Sequence, residues 1–155
     1  MSSREKWDST FINIAHLIAE HSTCVKSQVG ALLVQNRRII STGYNGTAPG
    51  FHEHCGAHFS GANFNDPDVL EEHAMWSSLY ELHAESNALL FAAKHGISPE
   101  DATVYITMSP CVQCAKLLIS AQVKRVVYAE EYRDTAGIKL LKTHNIQTEL
   151  FVDKN

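Results

Sequence analysis

The feature that most constrains the fold is a pair of short motifs in the second half of the chain. His83-Ala84-Glu85 is followed later by Pro110-Cys111-Val112-Gln113-Cys114. One imidazole and two thiolates are three ligands of the kind that zinc takes in proteins. Three protein ligands rather than four leave a coordination position open for water, as in catalytic zinc sites. The fold must therefore bring His83, Cys111 and Cys114 together.

The spacing within the motifs predicts their local structure. Cys111 and Cys114 follow a proline, which favours the start of a helix, so both sulfurs would lie on one face of its first turn. The positive end of a helix also favours thiolate. His83 and Glu85 likewise open an apolar run over residues 88–93. Two helix N-termini are expected to converge on one metal, and Glu85 is placed to face the water without binding the metal.

Each motif alone has a simpler interpretation. A single C-x-x-C is often half of a structural zinc site or a redox pair, and an isolated His-Ala-Glu usually has no function. A closed structural site would need a fourth ligand nearby, and none accompanies this pair in the sequence. Their order, with a proline before the first cysteine, favours the catalytic interpretation.

Length and composition predict one domain over residues 1–155. Hydrophobic residues make up 45% of the 155 residues, which is enough for a core. The chain shows no apolar run near the length of a membrane span and no charged-then-apolar leader. We therefore expect a cytoplasmic protein, in which the four cysteines are metal ligands or free thiols rather than disulfides.

The charge balance limits the partners. A formal net charge of -4 argues against a protein that holds long nucleic acid through phosphate contacts. A single nucleotide needs only a few local cations and remains compatible with this charge. We expect no membrane partner.

The first half of the chain predicts a helix and a hairpin. Residues 6–22 carry apolar side chains at helical spacing, which predicts an amphipathic helix with a core-facing stripe. Two apolar runs, 29–34 and 38–44, flank a polar turn at 35–37 and predict an antiparallel hairpin. Their composition suggests strands buried on both faces.

The last third of the chain alternates between strands and helices. Strands are predicted at 103–107, 124–128 and 146–152, and helices at 111–121 and 135–144. This alternation implies parallel neighbours joined by right-handed crossovers. With the hairpin, the prediction is an α/β fold with three layers, in which helices cover both faces of a five-stranded mixed sheet.

Residues 45–80 are expected to form an irregular loop insertion, because glycines and prolines interrupt any periodicity. His52, His54, His58, His73 and Cys55 fall in this segment. One interpretation is a second metal held by Cys24, Cys55 and histidines such as His73. The other is a histidine-rich surface loop, which we favour because the spacing fits no standard zinc pattern.

With these motifs described, the chain resembles the deoxycytidylate deaminases of the cytidine deaminase-like superfamily over nearly its whole length. The H-x-E and P-C-x-x-C motifs carry the resemblance to zinc-dependent nucleobase deaminases in general. Narrower matches are Ser27-Gln28-Val29-Gly30-Ala31, Gly43-Tyr44-Asn45-Gly46, the extended His83-Ala84-Glu85-Ser86-Asn87-Ala88 and Tyr132-Arg133-Asp134. Ser86 stands where the family usually has leucine, a change that bears on packing beside Glu85.

The resemblance implies a reaction and a cofactor. The reaction is hydrolytic deamination of dCMP to dUMP and ammonia, which supplies dUMP for thymidylate synthesis. The cofactor is Zn²⁺ on His83, Cys111 and Cys114, where it makes water acidic enough to provide hydroxide at neutral pH. Glu85 would take the proton of that water, deliver it to N3 of the base and then, in a second transfer, protonate the departing amine.

The resemblance also implies residues that bind the substrate. Asn45 matches the position that bonds the sugar hydroxyl, although it is equally suited to a turn in Tyr-Asn-Gly. The backbone N–H of Ala84 and the carbonyl of Ser109 would read the edge of the base. Candidates for binding the 5′-phosphate flank the strand ends, where this fold would hold its ligand: they are Lys26, Ser27, Tyr132 and Arg133. The alternative for each residue alone is an ordinary solvated side chain.

Many members of this family are hexamers that dCTP activates and dTTP inhibits. The resemblance therefore implies a homo-oligomer with an effector site, and Mg²⁺ where a triphosphate is bound. The parts that line that site correspond here to Gly43, Tyr44, Asn45, Gly46, Phe91 and Lys94. Simple burial of Phe91 at an interface is the alternative.

Three other functions remain open from the sequence. A deaminase of free nucleosides would share the zinc chemistry without a phosphate site. A tRNA- or DNA-editing deaminase would need a basic surface, which the net charge does not suggest. A zinc-stabilised binding module would have no activity at all.

Overall fold

The computed structural model describes residues 1–153. The elements alternate along the chain as the sequence predicted in its last third. The helices are α1 (Ser3–Ala19), α2 (Cys55–His58), α3 (Pro67–Tyr80), α4 (Ala84–Lys94), α5 (Val112–Ser120) and α6 (Ala136–Thr143). The strands are β1 (Gly30–Gln35), β2 (Arg38–Tyr44), β3 (Gly46–Thr47), β4 (Glu81–Leu82), β5 (Thr103–Met108), β6 (Arg125–Glu130) and β7 (Gln147–Leu150).

Five of the strands form one mixed sheet in the order β2-β1-β5-β6-β7. β1 is antiparallel to both β2 and β5, whereas β5, β6 and β7 run parallel. β3 and β4 pair separately as a short antiparallel ribbon. The predicted five-stranded mixed sheet is therefore confirmed.

Helices cover both faces of the sheet, which confirms the three-layer α/β/α architecture. Successive residues of a strand point to opposite faces, and β1 shows this directly. Leu32 and Val34 pack with α1 on one face, while Ala31 and Leu33 pack with α4, α5 and α6 on the other. The layer that holds three helices is the one that carries both sequence motifs.

The predicted hairpin is present, but its two strands are not equally buried. Asn36 and Arg37 have positive φ values of 49° and 60°, as a two-residue hairpin turn requires. β1 is almost fully buried, whereas β2 alternates between buried and exposed residues at its end and is exposed at its start. The expectation of burial on both faces was wrong for β2, because it lies at the edge of the sheet.

Residues 45–80 are not the irregular loop that we expected. They contain α3, which Asp66 caps through its side chain and Pro67 opens, in the manner usual for a helix start. The buried face of α3 consists of His73 and Trp76. A polar residue in that face, rather than an apolar stripe, hid the helix from a periodicity argument.

An ion pair that the sequence did not reveal joins α1 to the sheet. Arg125 donates from both terminal nitrogens to the Asp8 carboxylate, at 2.8 and 2.7 Å, and Tyr105 donates to the same carboxylate at 2.6 Å. Burial favours the neutral acid, but the hydrogen bonds from Arg125 and Tyr105 outweigh it and lower the pKa of Asp8. Arg125 also contacts Glu149 on β7.

Among residues 1–153, no helix combines the length and the apolar character that crossing a membrane requires.

Candidate active site

Three of the predicted metal ligands meet between the N-termini of α4 and α5. His83 Nδ1 lies 3.5 Å from Cys111 Sγ and 3.4 Å from Cys114 Sγ. We call His83, Cys111 and Cys114 the open cluster, and their three ligand atoms lie within 4.8 Å of one another. Tetrahedral zinc with its usual bond lengths separates nitrogen and sulfur ligands by about 3.6 Å. The donor set and its spacing therefore fit zinc.

The local backbone explains why these side chains converge. β4 pairs with β3 and ends at Leu82, so that His83 becomes the N-cap of α4. β5 ends at Met108, and Cys111 is the N-cap of α5. The prediction that two helix N-termini converge at this point is confirmed.

The first turn of α6 packs closely against the backbone of Pro110 and Cys111. A Cβ atom on Gly137 would lie 2.1 Å from the carbonyl oxygen of Pro110 and 2.9 Å from that of Cys111. Backbone atoms cannot give way at such distances, so α6 packs in this position only with glycine at residue 137.

The three ligands also influence one another's protonation. The hydrogen bond with Cys114 lowers the pKa of Cys111, and the contact with His83 adds to this effect against burial. The same Cys111 contact, together with burial, raises the pKa of Cys114. The hydrogen bond with Cys111 raises the pKa of His83. Cys111 is thus the more acidic thiol, and a cation bound by the cluster would favour thiolate at both sulfurs.

Glu85 is buried in the first turn of α4, with 3% of its surface exposed. Burial raises the pKa of its carboxyl to about 7. A carboxyl with a pKa in this range can accept and return a proton at neutral pH. The burial and the raised pKa of Glu85 support the role of proton carrier, which stays a prediction.

The open cluster lies in the wall of a cavity of about 540 Å³. All seven residues that the sequence assigned to substrate binding line this cavity: they are Lys26, Ser27, Asn45, Ala84, Ser109, Tyr132 and Arg133. Lys26 and Arg133 are exposed, Ser27 and Tyr132 are half-buried, and the other three are buried. The cavity thus combines buried side chains with exposed charged ones, which are the cationic Lys26 and Arg133 and the acidic Glu131.

The side chain of Asn45 makes hydrogen bonds to the backbone beside the cavity. Its Nδ2 donates to the Ser27 carbonyl at 2.8 Å, and its Oδ1 accepts from the Val29 N–H at 2.8 Å. An asparagine amide has two N–H groups, so one donor remains for a ligand. The turn interpretation and the sugar-binding interpretation of Asn45 are therefore compatible.

Ser109 is also held by the chain around it. Its Oγ accepts from the Tyr132 N–H at 2.7 Å, and its own N–H donates to the Glu130 carbonyl at 2.8 Å. These bonds link the end of β5 to the loop that follows β6. The loop that carries Tyr132 and Arg133 is thereby fixed to the cysteine motif.

Four further side chains gather beside the same cavity, and three of them, Cys24, His73 and Glu81, line its wall. The sulfurs of Cys24 and Cys55 lie 3.5 and 3.4 Å from His73 Nε2. With a carboxylate oxygen of Glu81 they form what we call the closed cluster, whose ligand atoms all lie within 4.8 Å of one another. The structure therefore does not support the surface-loop interpretation for His73, although His52, His54 and His58 lie outside this cluster.

A buried carboxylate oxygen in the closed cluster favours a bound cation, whereas burial of the other side chains favours their neutral forms. Burial raises the pKa of Cys55 to about 12 and lowers the pKa of His73, so burial alone favours neutral groups. Within residues 1–153, Glu81 Oε1 is buried without a hydrogen-bond partner, while Oε2 accepts from Ser77 at 2.7 Å. A buried carboxylate oxygen without a partner is costly unless a cation compensates it.

Sequence reasoning missed Glu81 and Ser77. Glu81 stands two residues before His83, and this spacing was the available signal, because side chains two apart in an extended segment point to the same side. Ser77 had no signal, since its role depends on α3, which was not predicted.

Most of the predicted effector residues lie outside the cavity. Gly43 allows β2 to pack against α4, because a Cβ there would lie 2.3 Å from the Ala84 carbonyl oxygen. Gly46 is buried in β3. Tyr44 and Phe91 are 44% and 48% exposed, and Lys94 is exposed. Only Asn45 belongs to both groups.

Comparisons with known proteins agree with this geometry. The family model "Cytidine and deoxycytidylate deaminase zinc-binding region" matches residues 5–130. Deoxycytidylate deaminase of Enterobacteria phage T4 is 40% identical over 150 residues, which cover 80% of this chain and 78% of that protein. Deoxycytidylate deaminase of Saccharomyces cerevisiae is 37% identical over 151 residues, which cover 96% of this chain and 46% of that protein.

Solved structures give a similar result. The dCMP deaminase from cyanophage S-TIM5, crystallised with dCMP and dUMP, has a TM-score of 0.77 and 33% sequence identity. The match covers 97% of this chain and 99% of that one. The similarity therefore extends over the whole three-layer fold as well as the two motifs.

Proposed function

The chain belongs to the family of cytidine and deoxycytidylate deaminases, and from this premise we infer that it hydrolyses dCMP to dUMP and ammonia. The observation that carries this conclusion is the open cluster, with the buried Glu85 beside it, in a cavity that also holds two cationic side chains. The phage T4 enzyme and the cyanophage structure with dCMP and dUMP support the same substrate.

The residues of the chain divide the chemistry among them. His83, Cys111 and Cys114 would hold zinc, which when bound supplies the Lewis acidity that makes water a nucleophile at neutral pH. Glu85 accepts a proton as water attacks C4 of the base. It delivers that proton to N3, and it then carries the proton of the new C4 hydroxyl to the amine, which leaves as ammonia as the C4–N bond breaks. The burial of Glu85 keeps these transfers away from bulk solvent.

The remaining cavity residues orient the substrate. The Ala84 N–H and the Ser109 carbonyl face the base, and the free amide hydrogen of Asn45 serves the sugar hydroxyl. Lys26 and Arg133, with Ser27 and Tyr132, are assigned to the 5′-phosphate. Two exposed cations in the lining of the cavity support a preference for a nucleotide over a nucleoside.

A second metal in the closed cluster is a separate proposal. Cys24, Cys55, His73 and Glu81 provide four ligands, the number found in structural zinc sites. The orphaned oxygen of Glu81 and the buried sulfurs support it. Such an ion would stabilise the segment that precedes Lys26 and join it to α3.

Regulation by dCTP and dTTP, with Mg²⁺ on the triphosphate and a homo-oligomeric, hexameric assembly, is the third proposal. Asn87 Nδ2 donates to the Tyr44 carbonyl at 2.7 Å, which ties the segment of Gly43, Tyr44, Asn45 and Gly46 to the face of α4 that exposes Phe91 and Lys94. This contact offers a route from an effector to Asn45 in the cavity. An alternative use of Phe91 is burial between subunits.

A kinetic comparison of substrates tests the main conclusion. We expect rapid turnover of dCMP, much slower turnover of deoxycytidine and cytidine, and no editing of tRNA or DNA. Equal rates on dCMP and deoxycytidine would contradict the nucleotide assignment. A protein that binds zinc without deaminating any of these compounds would be a binding module instead.

The effector proposal is tested in the same assay. A sigmoidal dependence on dCMP should become hyperbolic with dCTP and Mg²⁺ and more sigmoidal with dTTP. A coupling of about 1–3 kcal/mol is typical and moves the half-saturation point visibly. A cytoplasmic location accompanies the main proposal, since nucleoside monophosphates are made and used inside cells.

A further inference from the structure

Ser86 follows Glu85 directly, and its side chain reaches the open cluster. Its Oγ lies 3.7 Å from Cys114 Sγ, and the residue is half-buried in the first turn of α4. Among residues 1–153, Cys114 Sγ is the hydrogen-bond partner of the Ser86 hydroxyl. The contact spans the two helices, because Cys114 lies on α5.

The direction of this hydrogen bond follows from the chemistry of the sulfur. A neutral cysteine and a serine can each donate to the other. A cysteine that ligates a metal is a thiolate and has no proton to give. When Cys114 is a ligand, Ser86 must therefore be the donor.

We propose that Ser86 is a positioning residue of the deaminase, which donates to the ligating sulfur of Cys114 and withdraws electron density from it. A thiolate that donates less strongly leaves the cation a stronger Lewis acid, and outer-shell hydrogen bonds of this kind tune metal sites. The inference rests on the proposed function, because it requires a metal in the open cluster. Its effect falls on kcat, since Ser86 does not line the substrate cavity.

A simpler role for Ser86 is to fill space between α4 and α5. Leucine, which is usual at this position in the family that the sequence resembles, would fill the space and could not donate. Alanine would leave the space empty and also could not donate. Threonine keeps the hydroxyl, so these three replacements separate volume from hydrogen bonding.

The experiment uses the full chain with cobalt(II) in place of zinc, because the sulfur-to-cobalt charge-transfer band reports electron donation by the thiolates directly. Ser41→Ala is the matched control. The Ser41 hydroxyl is buried and donates to the Ala88 carbonyl of α4 at 2.6 Å, without contact to the open cluster. Any band from the closed cluster is common to all variants and cancels in difference spectra.

We expect Ser86→Ala and Ser86→Leu to move the band to longer wavelength and to lower kcat on dCMP about 10-fold with unchanged KM. Ser86→Thr and Ser41→Ala should keep the wild-type band. An unmoved band in Ser86→Ala would overturn the inference, whatever happens to kcat. A wild-type protein without any sulfur-to-cobalt band would instead contradict the proposed metal sites, so the two failures are distinguishable.

Discussion

The open and closed clusters contain similar side chains but differ in their number and in their exposure. The open cluster has three ligands, one of them exposed, at the N-termini of two helices that the sheet positions. The closed cluster has four side chains that could bind a metal, and three of them are buried. If the proposed roles hold, ligand number and exposure, more than ligand type, separate a site for chemistry from a site for stability.

The largest expected effect comes from a residue that belongs to neither cluster. Glu85→Gln should reduce kcat by a factor of ~100 to ~10,000, because it removes the positioned proton carrier. Metal content and the free energy of unfolding should change little. Metal analysis measures the metal content, and the change in absorbance during deamination of dCMP measures kcat. Glu71→Gln, at an exposed position of α3, is the control. Loss of metal in Glu85→Gln would show that Glu85 is a ligand.

Removal of one cysteine from each cluster tests the comparison directly. Cys55→Ser should lose the closed-cluster metal and about 4 kcal/mol of unfolding free energy, since a structural ion contributes folding energy. Cys114→Ser should lose the open-cluster metal and all activity with a smaller loss of stability. Metal analysis and urea unfolding give both quantities. Equal stability losses would remove the distinction between the clusters.

The two exposed cations that line the cavity predict a more selective effect. Lys26→Ala and Arg133→Ala should each raise KM for dCMP about 10-fold, the lower range for a hydrogen bond to a charged group. Turnover of deoxycytidine, which has no phosphate, should not change. Steady-state kinetics on both substrates measure this, and Lys139→Ala on the exposed surface of α6 is the control. A parallel loss on both substrates would assign these residues to folding.

The smallest change that we expect is in the stability contributed by the Asp8–Arg125 ion pair, measured as the pH is lowered. Protonation of the ligands would release any metal that the clusters hold, so the contribution of the Asp8–Arg125 ion pair has to be known independently. The pKa of Asp8 is lowered in the folded state, so its contribution is present above the unfolded pKa and is lost as pH falls through the folded pKa.

Asp8→Asn should therefore be less stable than the parent protein at pH 7, and this deficit should shrink as the pH falls below about 4. Urea unfolding of both proteins with a chelator present, between pH 3 and pH 7, measures the difference. A deficit that stays constant over this range would assign Asp8 a role that does not depend on its charge.

The sequence predicted the open cluster because its ligands lie in two contiguous motifs whose internal spacing has local meaning. It predicted the sheet because five strands carry apolar runs between turn residues. It did not predict Glu81, α3 or the Asp8–Arg125 pair. The polar His73 in the buried face of α3 hid that helix from a periodicity argument, whereas Cys24 and Cys55 beside Glu81, and Arg125 beside Asp8, lie on segments far away in the chain.

The two-residue spacing between Glu81 and His83 also limits how the length of this protein can vary in nature. Both residues lie in an extended segment, with Leu82 between them, and their side chains point to the same side. One inserted or deleted residue would turn one of them away from its cluster. Natural length variants should therefore be absent from residues 81–83 and should accumulate in the turn between α2 and α3, where Gly61 has open space around it.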